Sequence, residues 1–381
     1  MFSHRLPPLV PNRWWQVRLA CRPQVDLTVS NPTKVGIAYP EDLLAPLAHP
    51  RGLRYEPEPA GLWAAREAVA AWYQGQGLAV SPQQVLLTAS TSESYGLLAK
   101  LLCNPGEGLL VPQPSYPLFE HLFAAEGVMA LPYPLPAETQ FHLEVEQIPQ
   151  PRQAQGLVVV QPNNPTGGVV PERAWQPLVR LCARQGWALI ADEVFWPFPL
   201  ADVWRTSFAN NRECLTFVLG GLSKLAGLPQ LKLGWIVVSG PEPLVHEAWS
   251  RLEFLADTYL SVATPTQQAL GEILQRAEGV GEQIRQRLVA NWELVRGWVA
   301  HHPWLEVIPP EGGWSAVLRY PAVVGEEELV VWLLQHHGLA VYPGFFFDFP
   351  REGYLVVSLL ICPDELRRGL AVLGEALAQR V

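Results

Sequence analysis

Three short passages share one pattern: GLVVVQPNNPTGG at residues 156–168, WALIADEVF at 187–195 and LTFVLGGLSK at 215–224. Each opens on an apolar, β-branched run and closes in a turn built from Asn, Asp, Gly or Ser. The runs Leu157–Gln161, Trp187–Ala191 and Leu215–Leu219 are apolar at successive positions, as strands covered on both faces of a sheet must be. An amphipathic stretch, Pro171–Gln185, separates the first two. Strands alternating with helices imply right-handed crossovers and a mostly parallel sheet. Ligands of such sheets gather at the carboxyl ends of the strands, where these three turns lie.

The same texture extends toward the N-terminus. Val85–Ala89, Gly108–Val111 and Leu233–Val238 read as further strands, and Ser92–Leu102 as a helix. A helical pattern then runs from Thr266 to Trp298, weakened locally by Gly279 and Gly281. Beyond it the order changes to a strand pair at Leu305–Ile308 and Trp314–Leu318, a helix at Glu326–His336, strands near Leu339–Val341 and Tyr354–Leu359, and a closing helix at Asp364–Ala378. The expected division is a large α/β domain over residues 46–274 and a smaller α+β domain formed by 1–45 with 275–381.

Composition bounds the function. The chain has 381 residues, 49% of them apolar and 17% charged, which excludes a disordered protein. Its net charge of −9 argues against a general nucleic-acid binder. No apolar run is long enough to span a membrane, and the N-terminal residues lack the continuous apolar core of a signal peptide. The five cysteines, Cys21, Cys103, Cys182, Cys214 and Cys362, are scattered without metal-ligand spacing and read as buried free thiols of a cytoplasmic protein. His336 and His337 read as a solvated helix end rather than a metal site.

Only four of the 27 basic residues are lysines: Lys34, Lys100, Lys224 and Lys232. Where arginine serves nearly every cationic position, a retained lysine points to chemistry that needs an amine able to deprotonate and attack a carbonyl. Two of the four, Lys224 and Lys232, lie in one segment. The turns supply complementary groups. Ser90, Thr91 and Ser92 open a helix, either as simple N-caps or as an anion site of hydroxyls and free N–H groups. Asn164 follows a strand in a rigid N-P-T-G turn. Asp192 ends a buried strand, where a carboxylate needs a cationic partner or a function.

These elements, in this order, resemble the class I/II aminotransferases of pyridoxal phosphate fold-type I. The resemblance rests on Tyr55 with Gly61 and Arg66, Ser90–Glu93, Pro114-Ser115-Tyr116-Pro117, Asn164-Pro165-Thr166-Gly167, Asp192-Glu193-Val194-Phe195, Ser223-Lys224 and Pro343-Gly344, and it covers nearly the whole chain. It implies a mostly parallel seven-stranded sheet with helices on both faces, plus the smaller domain. It also implies pyridoxal 5′-phosphate as cofactor, and amino-group transfer from a small-molecule donor to an oxo acid or carbonyl acceptor. Lys224 looks like the Schiff-base lysine and proton shuttle, and Asp192 like the partner of the pyridinium nitrogen. Tyr116 is similar to the ring-stacking aromatic, and Asn164 to the amide that meets the 3′-oxygen. Ser90, Thr91 and Ser92 resemble the phosphate cup, with Lys232 beside it. Tyr55 is similar to the tyrosine that reaches a partner subunit's phosphate, which implies a homodimer with shared sites. Gly36 is expected on the substrate side.

Four departures from the family pattern stand out. Phe195 replaces the usual tyrosine and removes one donor to the 3′-oxygen. Gly221 stands where a serine often contacts the phosphate. Lys232 replaces an arginine, giving up a bidentate fork for a point charge. Val356 occupies the late-strand position where the family clamps the substrate α-carboxylate with arginine, and Arg319 is the candidate substitute. A lyase or decarboxylase on the same scaffold would share every cofactor residue, and a cofactor-binding protein without turnover is the non-enzymatic alternative.

Overall fold

The computed structural model describes residues 3–5 and 10–380; residues 1–2, 6–9 and 381, which fall within the expected smaller domain, lie outside the described residues. Thirteen strands follow in chain order: β1 (Val25–Asp26), β2 (Val85–Thr88), β3 (Gly108–Gln113), β4 (Met129–Pro134), β5 (Ala154–Val160), β6 (Ala188–Asp192), β7 (Thr216–Gly221), β8 (Gly234–Ser239), β9 (Glu306–Ile308), β10 (Ser315–Arg319), β11 (Leu339–Ala340), β12 (Tyr342–Pro343) and β13 (Tyr354–Ser358). Seven of them form one sheet in the order β2-β8-β7-β6-β5-β3-β4. All its pairings are parallel except the two made by β8, which runs against both β2 and β7. Every residue of β2, β6, β7 and β8 is buried, which explains why their sequences are continuously apolar rather than alternating.

The sheet separates two apolar layers. One packs the helices Thr91–Leu102, Phe119–Glu126 and Glu242–Asp257 against one face. The other joins the helices Trp63–Gly75, Glu172–Gln185 and Glu278–Val299 to a four-stranded antiparallel sheet, β12-β13-β10-β9. The N-terminal segment adds to that second region, since β1 pairs in parallel with β11.

Three differences from the sequence reading have local causes. β4 was not expected: it carries Pro132 and Pro134, tolerated because it is the edge strand of the sheet. The helical pattern over 266–298 is two helices, Thr264–Arg276 and Glu278–Val299, meeting at Ala277. Of the five free thiols only Cys182 and Cys214 are buried; Cys362 is exposed, at the cap that precedes the closing helix Pro363–Leu377.

Glu193 ties together the loops that leave the central strands. Its carboxylate accepts hydrogen bonds from the Ser207 hydroxyl (2.6 Å), the Phe208 N–H (2.8 Å) and the Gln161 amide (3.0 Å). Burial pushes its pKa up to about 7, against these three donors and with the neighbouring Asp192 charge. The folded state therefore holds a proton that the unfolded chain has released, and stability falls as pH rises from the ordinary carboxylate range to about 7, then levels off. Glu193→Gln should abolish this loss, which amounts to at most about 3 kcal/mol. Urea melts of the cofactor-free protein at pH 5 and pH 8 test it, and an equal decline in wild type and variant would refute the assignment.

Candidate active site

The sheet order brings the functional turns to one edge. β3, β5, β6 and β7 are mutually parallel, so the turns that follow them share an edge, with Val160 opposite Asp192 and Asp192 opposite Leu219. Because β8 runs against both its neighbours, β2 ends at the same edge, where Thr88 pairs with Gly234. The connection from β7 to β8 begins and ends there, and it carries both Lys224 and Lys232. Five turns separated by long stretches of chain thus converge, presenting Ser90–Ser92, Tyr116, Asn164, Asp192 with Phe195, and Lys224.

Asp192 is 7% exposed and is held on both oxygens: Oδ2 accepts from the Tyr95 hydroxyl at 2.8 Å, and Oδ1 from the Val194 N–H at 3.2 Å. Burial raises its pKa; the two hydrogen bonds and the Lys224 charge oppose that rise. The same burial lowers the pKa of Lys224, with Asp192 pulling the other way. An amine poised to lose its proton therefore sits near a carboxylate that lacks a close cationic partner. Two aromatic rings flank the amine: Lys224 Nζ lies 5.0 Å from the ring centre of Trp314 and 5.6 Å from that of Phe195. Those rings meet each other edge-on at 5.5 Å, and the buried Trp314 Nε1 has no hydrogen-bond partner among the described residues.

The helix Thr91–Leu102 presents its N-terminus to the site. Ser90 is its N-cap: the Ser90 hydroxyl accepts from the Glu93 N–H at 3.1 Å, while the Glu93 carboxylate reaches back to the Ala89 N–H. The Ser90 oxygen thus caps the helix while its O–H, with the first-turn N–H groups of Thr91 and Ser92 and the Ser92 hydroxyl, is available to donate to an anion. Tyr116 is half-buried, its phenol pushed up by burial and by the Asp192 charge, with a hydrogen bond to Ser92 acting in the opposite sense. In the N-P-T-G turn it is Asn163 that is fixed, by Ser115 (2.8 Å), Pro114 (3.0 Å) and Thr166 (2.9 Å), leaving Asn164 half-buried beside it.

Other expected residues stand further out. Lys232 is exposed and adopts a left-handed backbone, φ +50°. Tyr55 is 78% exposed, on the rim of a cavity formed with Glu58, Glu93, Tyr259 and Ser261. Gly36 is exposed with φ +72°, a conformation that favours glycine, and a Cβ there would meet no atom within 4 Å. Arg319 stands toward the β3–β4 end of this edge, where it lines a cavity with Gln113 and Pro134. It closes β10, five residues beyond Trp314, where its guanidinium pairs with Glu306 at 3.1 Å on the surface. Val356 is buried in β13 between Val317 and Tyr342.

Two residues of the site escaped the sequence reading. Tyr95 lies one helical turn after Thr91, and its position on the buried side of a helix that opens with S-T-S was the available signal. Trp314 follows Gly312-Gly313 at the start of a strand, a place where close backbone approach is the expected use of glycine.

With this geometry, comparison with known proteins is informative. The family model described as aminotransferase class I and II matches residues 32–373. Tyrosine aminotransferase of Homo sapiens is 26% identical over 309 residues, 78% of this chain and 68% of that protein. Glutamate-pyruvate aminotransferase AlaA of Haemophilus influenzae is 24% identical over 368 residues, covering 92% and 90%. Among solved structures, an alanine aminotransferase from Pyrococcus furiosus superposes over 100% of both chains with a TM-score of 0.89 at 21% identity. A family match over nearly the full chain, on a fold whose sheet edge carries the amine, the carboxylate and the anion site, means that the protein belongs to the class I and II aminotransferases, enzymes dependent on pyridoxal 5′-phosphate.

Proposed function

We propose that this aminotransferase works at the sheet edge around Lys224, as a homodimer in the cytoplasm, and that its amino donor carries no carboxylate on the amine-bearing carbon. The observation that carries the reading is the juxtaposition of a deprotonation-prone amine, Lys224, with the buried, under-paired carboxylate of Asp192. When bound, pyridoxal phosphate supplies an electron-accepting ring that stabilises the charge left when a proton departs from the substrate carbon.

The residues present suit that group. Asp192, made costly by burial, matches a cationic ring nitrogen; Tyr95 and the Val194 N–H hold it in place. Thr91 and Ser92 offer N–H donors and a hydroxyl to a phosphate, with Lys232 as the nearby cation. Tyr116 would cover a ring face and Asn164 would donate to the 3′-oxygen, where Phe195 has no hydroxyl to give. Lys224 would hold the aldehyde and then carry the proton. Flanked by Trp314 and Phe195, its amine is kept from full hydration, which favours the neutral form that such transfer requires.

The dimer is supported by the exposed Tyr55, which is available to a second subunit. The division into residues 46–274 and 1–45 with 275–381 is supported by the pairing of β1 with β11. The cytoplasmic assignment is supported by the free cysteines and by the lack, among the described residues, of a helix long and apolar enough to cross a membrane. Gly36, with open space around its backbone, leaves room on the substrate side. The substrate reading is supported by the loss of the family's arginine at Val356 and by the commitment of Arg319 to Glu306. A carboxylate brought beside Lys224 would be desolvated without a guanidinium to receive it.

Reduction of the cofactor-loaded protein with borohydride, followed by peptide mapping, should place the label on Lys224; a label on Lys232 would overturn the assignment. Asp192→Ala should lower single-turnover rates by at least about 100-fold, a far larger effect than the stability lost by orphaning the buried Tyr95 hydroxyl. Near-wild-type turnover in that variant would remove Asp192 from the mechanism. In a donor panel the wild type should favour primary amines over common α-amino acids. Val356→Arg should then gain amino-acid activity, by roughly 30-fold for a contact of about 2 kcal/mol. A wild type that uses α-amino acids as readily as amines would refute the substrate reading.

A further inference from the structure

The segment that delivers Trp314 to Lys224 is clamped from two sides. The N–H groups of Glu311 and Gly312 both donate to the Gly167 carbonyl, at 3.1 and 3.0 Å, in the turn that carries Asn164. The Glu311 carbonyl accepts from Leu200 (2.9 Å) and Ala201 (3.2 Å), and the Gly313 N–H donates to Phe198 (3.0 Å), in the loop that follows Phe195. There is no slack: a Cβ on Gly167 would fall 2.5 Å from Pro310, and one on Gly312 would fall 2.6 Å from Pro162.

One side chain closes this assembly. Glu311 Oε2 accepts from the Val169 N–H at 2.8 Å and meets His142 Nε2 at 3.0 Å. His142 Nδ1 lies 2.7 Å from the Thr139 carbonyl oxygen. A carbonyl only accepts, so Nδ1 carries a proton; a carboxylate also only accepts, so Nε2 carries one too. The geometry is that of an imidazolium held between two acceptors.

We infer that the His142–Glu311 pair is a pH-sensitive positioning latch: protonated, it holds residues 310–314 between the Asn164 and Phe195 turns and so keeps Trp314 over Lys224. Loss of one proton turns a ring nitrogen lone pair toward an oxygen, and one of the two contacts must break. The groups facing the imidazole support a charged state. Hydrogen bonding to Glu311 and to Thr139 raises its pKa, burial and Arg173 oppose the rise, and Arg173 is itself paired with Glu144. Glu311 in turn has its carboxyl pKa lowered overall; burial pushes it upward, but the contacts with His142 and Val169 outweigh that. A histidine whose folded pKa is raised contributes fully below its unfolded value, and that contribution is lost as pH rises through the folded one. The latch is therefore closed at pH values below the ordinary imidazole range and opens as pH rises through the raised pKa of the folded state.

The structural claim stands independently of the catalytic one; only the effect on turnover rests on the function proposed above. Hydrogen exchange of the cofactor-free protein, read on the peptide spanning 310–314, tests it directly. Corrected for the intrinsic pH dependence, protection of the Glu311, Gly312 and Gly313 amides in the wild type should fall about tenfold between pH 6 and pH 9. In His142→Gln and in Glu311→Gln, which keeps an acceptor for the Val169 N–H, protection should show no such step. With cofactor bound, the alkaline limb of the kcat/KM profile should shift or vanish in the same variants. A flat wild-type exchange profile, or a step that persists in both variants, would overturn the latch. Exchange behaviour as expected in an enzyme inactive with every donor would leave the latch standing and overturn the proposed function instead.

Discussion

A carboxylate buried at the end of an apolar strand is the constraint around which this site is arranged. Leaving Asp192 without partners would cost several kcal/mol, and the chain offsets that cost with the Tyr95 hydroxyl and the Val194 N–H. Tyr95 belongs to the helix whose first turn carries Thr91 and Ser92. One hydrogen bond therefore fixes where the anion-binding helix terminus stands relative to the carboxylate. The four steps from Thr91 to Tyr95 span about 6 Å of helix axis, so the two polar poles of the site are set by the pitch of a single rigid element.

Between those poles the walls are aromatic and apolar. Phe195, Phe198 and Trp314 pack on one another, and two of the three rings face the Lys224 amine. Burial there penalises the ammonium ion, a penalty the ring faces offset in part by attracting a cation, and it tolerates the neutral amine, which is why a lysine rather than an arginine has a use there. The departures from the family pattern, Phe195, Gly221, Lys232 and Val356, all remove polar or charged groups from the site or weaken them.

Much of this was legible in the chain, and the parts that were not failed for identifiable reasons. Central strands declare themselves because burial on both faces favours apolar residues, so Leu157–Gln161 lies within three residues of the ends of β5 and Trp187–Ala191 within one of β6. The edge strand β4 could not, because an edge tolerates proline and partial exposure, and its sequence loses the pattern. Ser90 is ambiguous between cap and ligand in the sequence, and the hydrogen bond from the Glu93 N–H establishes the cap while leaving the hydroxyl proton free. Arg319 is a candidate clamp only as a basic residue at the end of the run Trp314–Leu318, and its pairing with Glu306 on the adjacent strand has no signature in sequence. The partner of Tyr95 and the His142–Glu311 pair are invisible in sequence, since the groups that meet are far apart along the chain.

The antiparallel strand β8 has a consequence for the order in which the molecule assembles. It is the only bridge between β2 and the rest of the large sheet, with Val85 paired to Val237 and Thr88 to Gly234. The strand that introduces the anion-binding turn is made early in synthesis, yet it cannot join its sheet until β8 has emerged and docked. Closing so long a loop is an entropic barrier with no local contacts to lower it. Partly folded chains can therefore hold the β3–β7 layer and the Asp192 carboxylate while lacking an anion pocket, so the cofactor meets a complete site only after this last ladder has zipped.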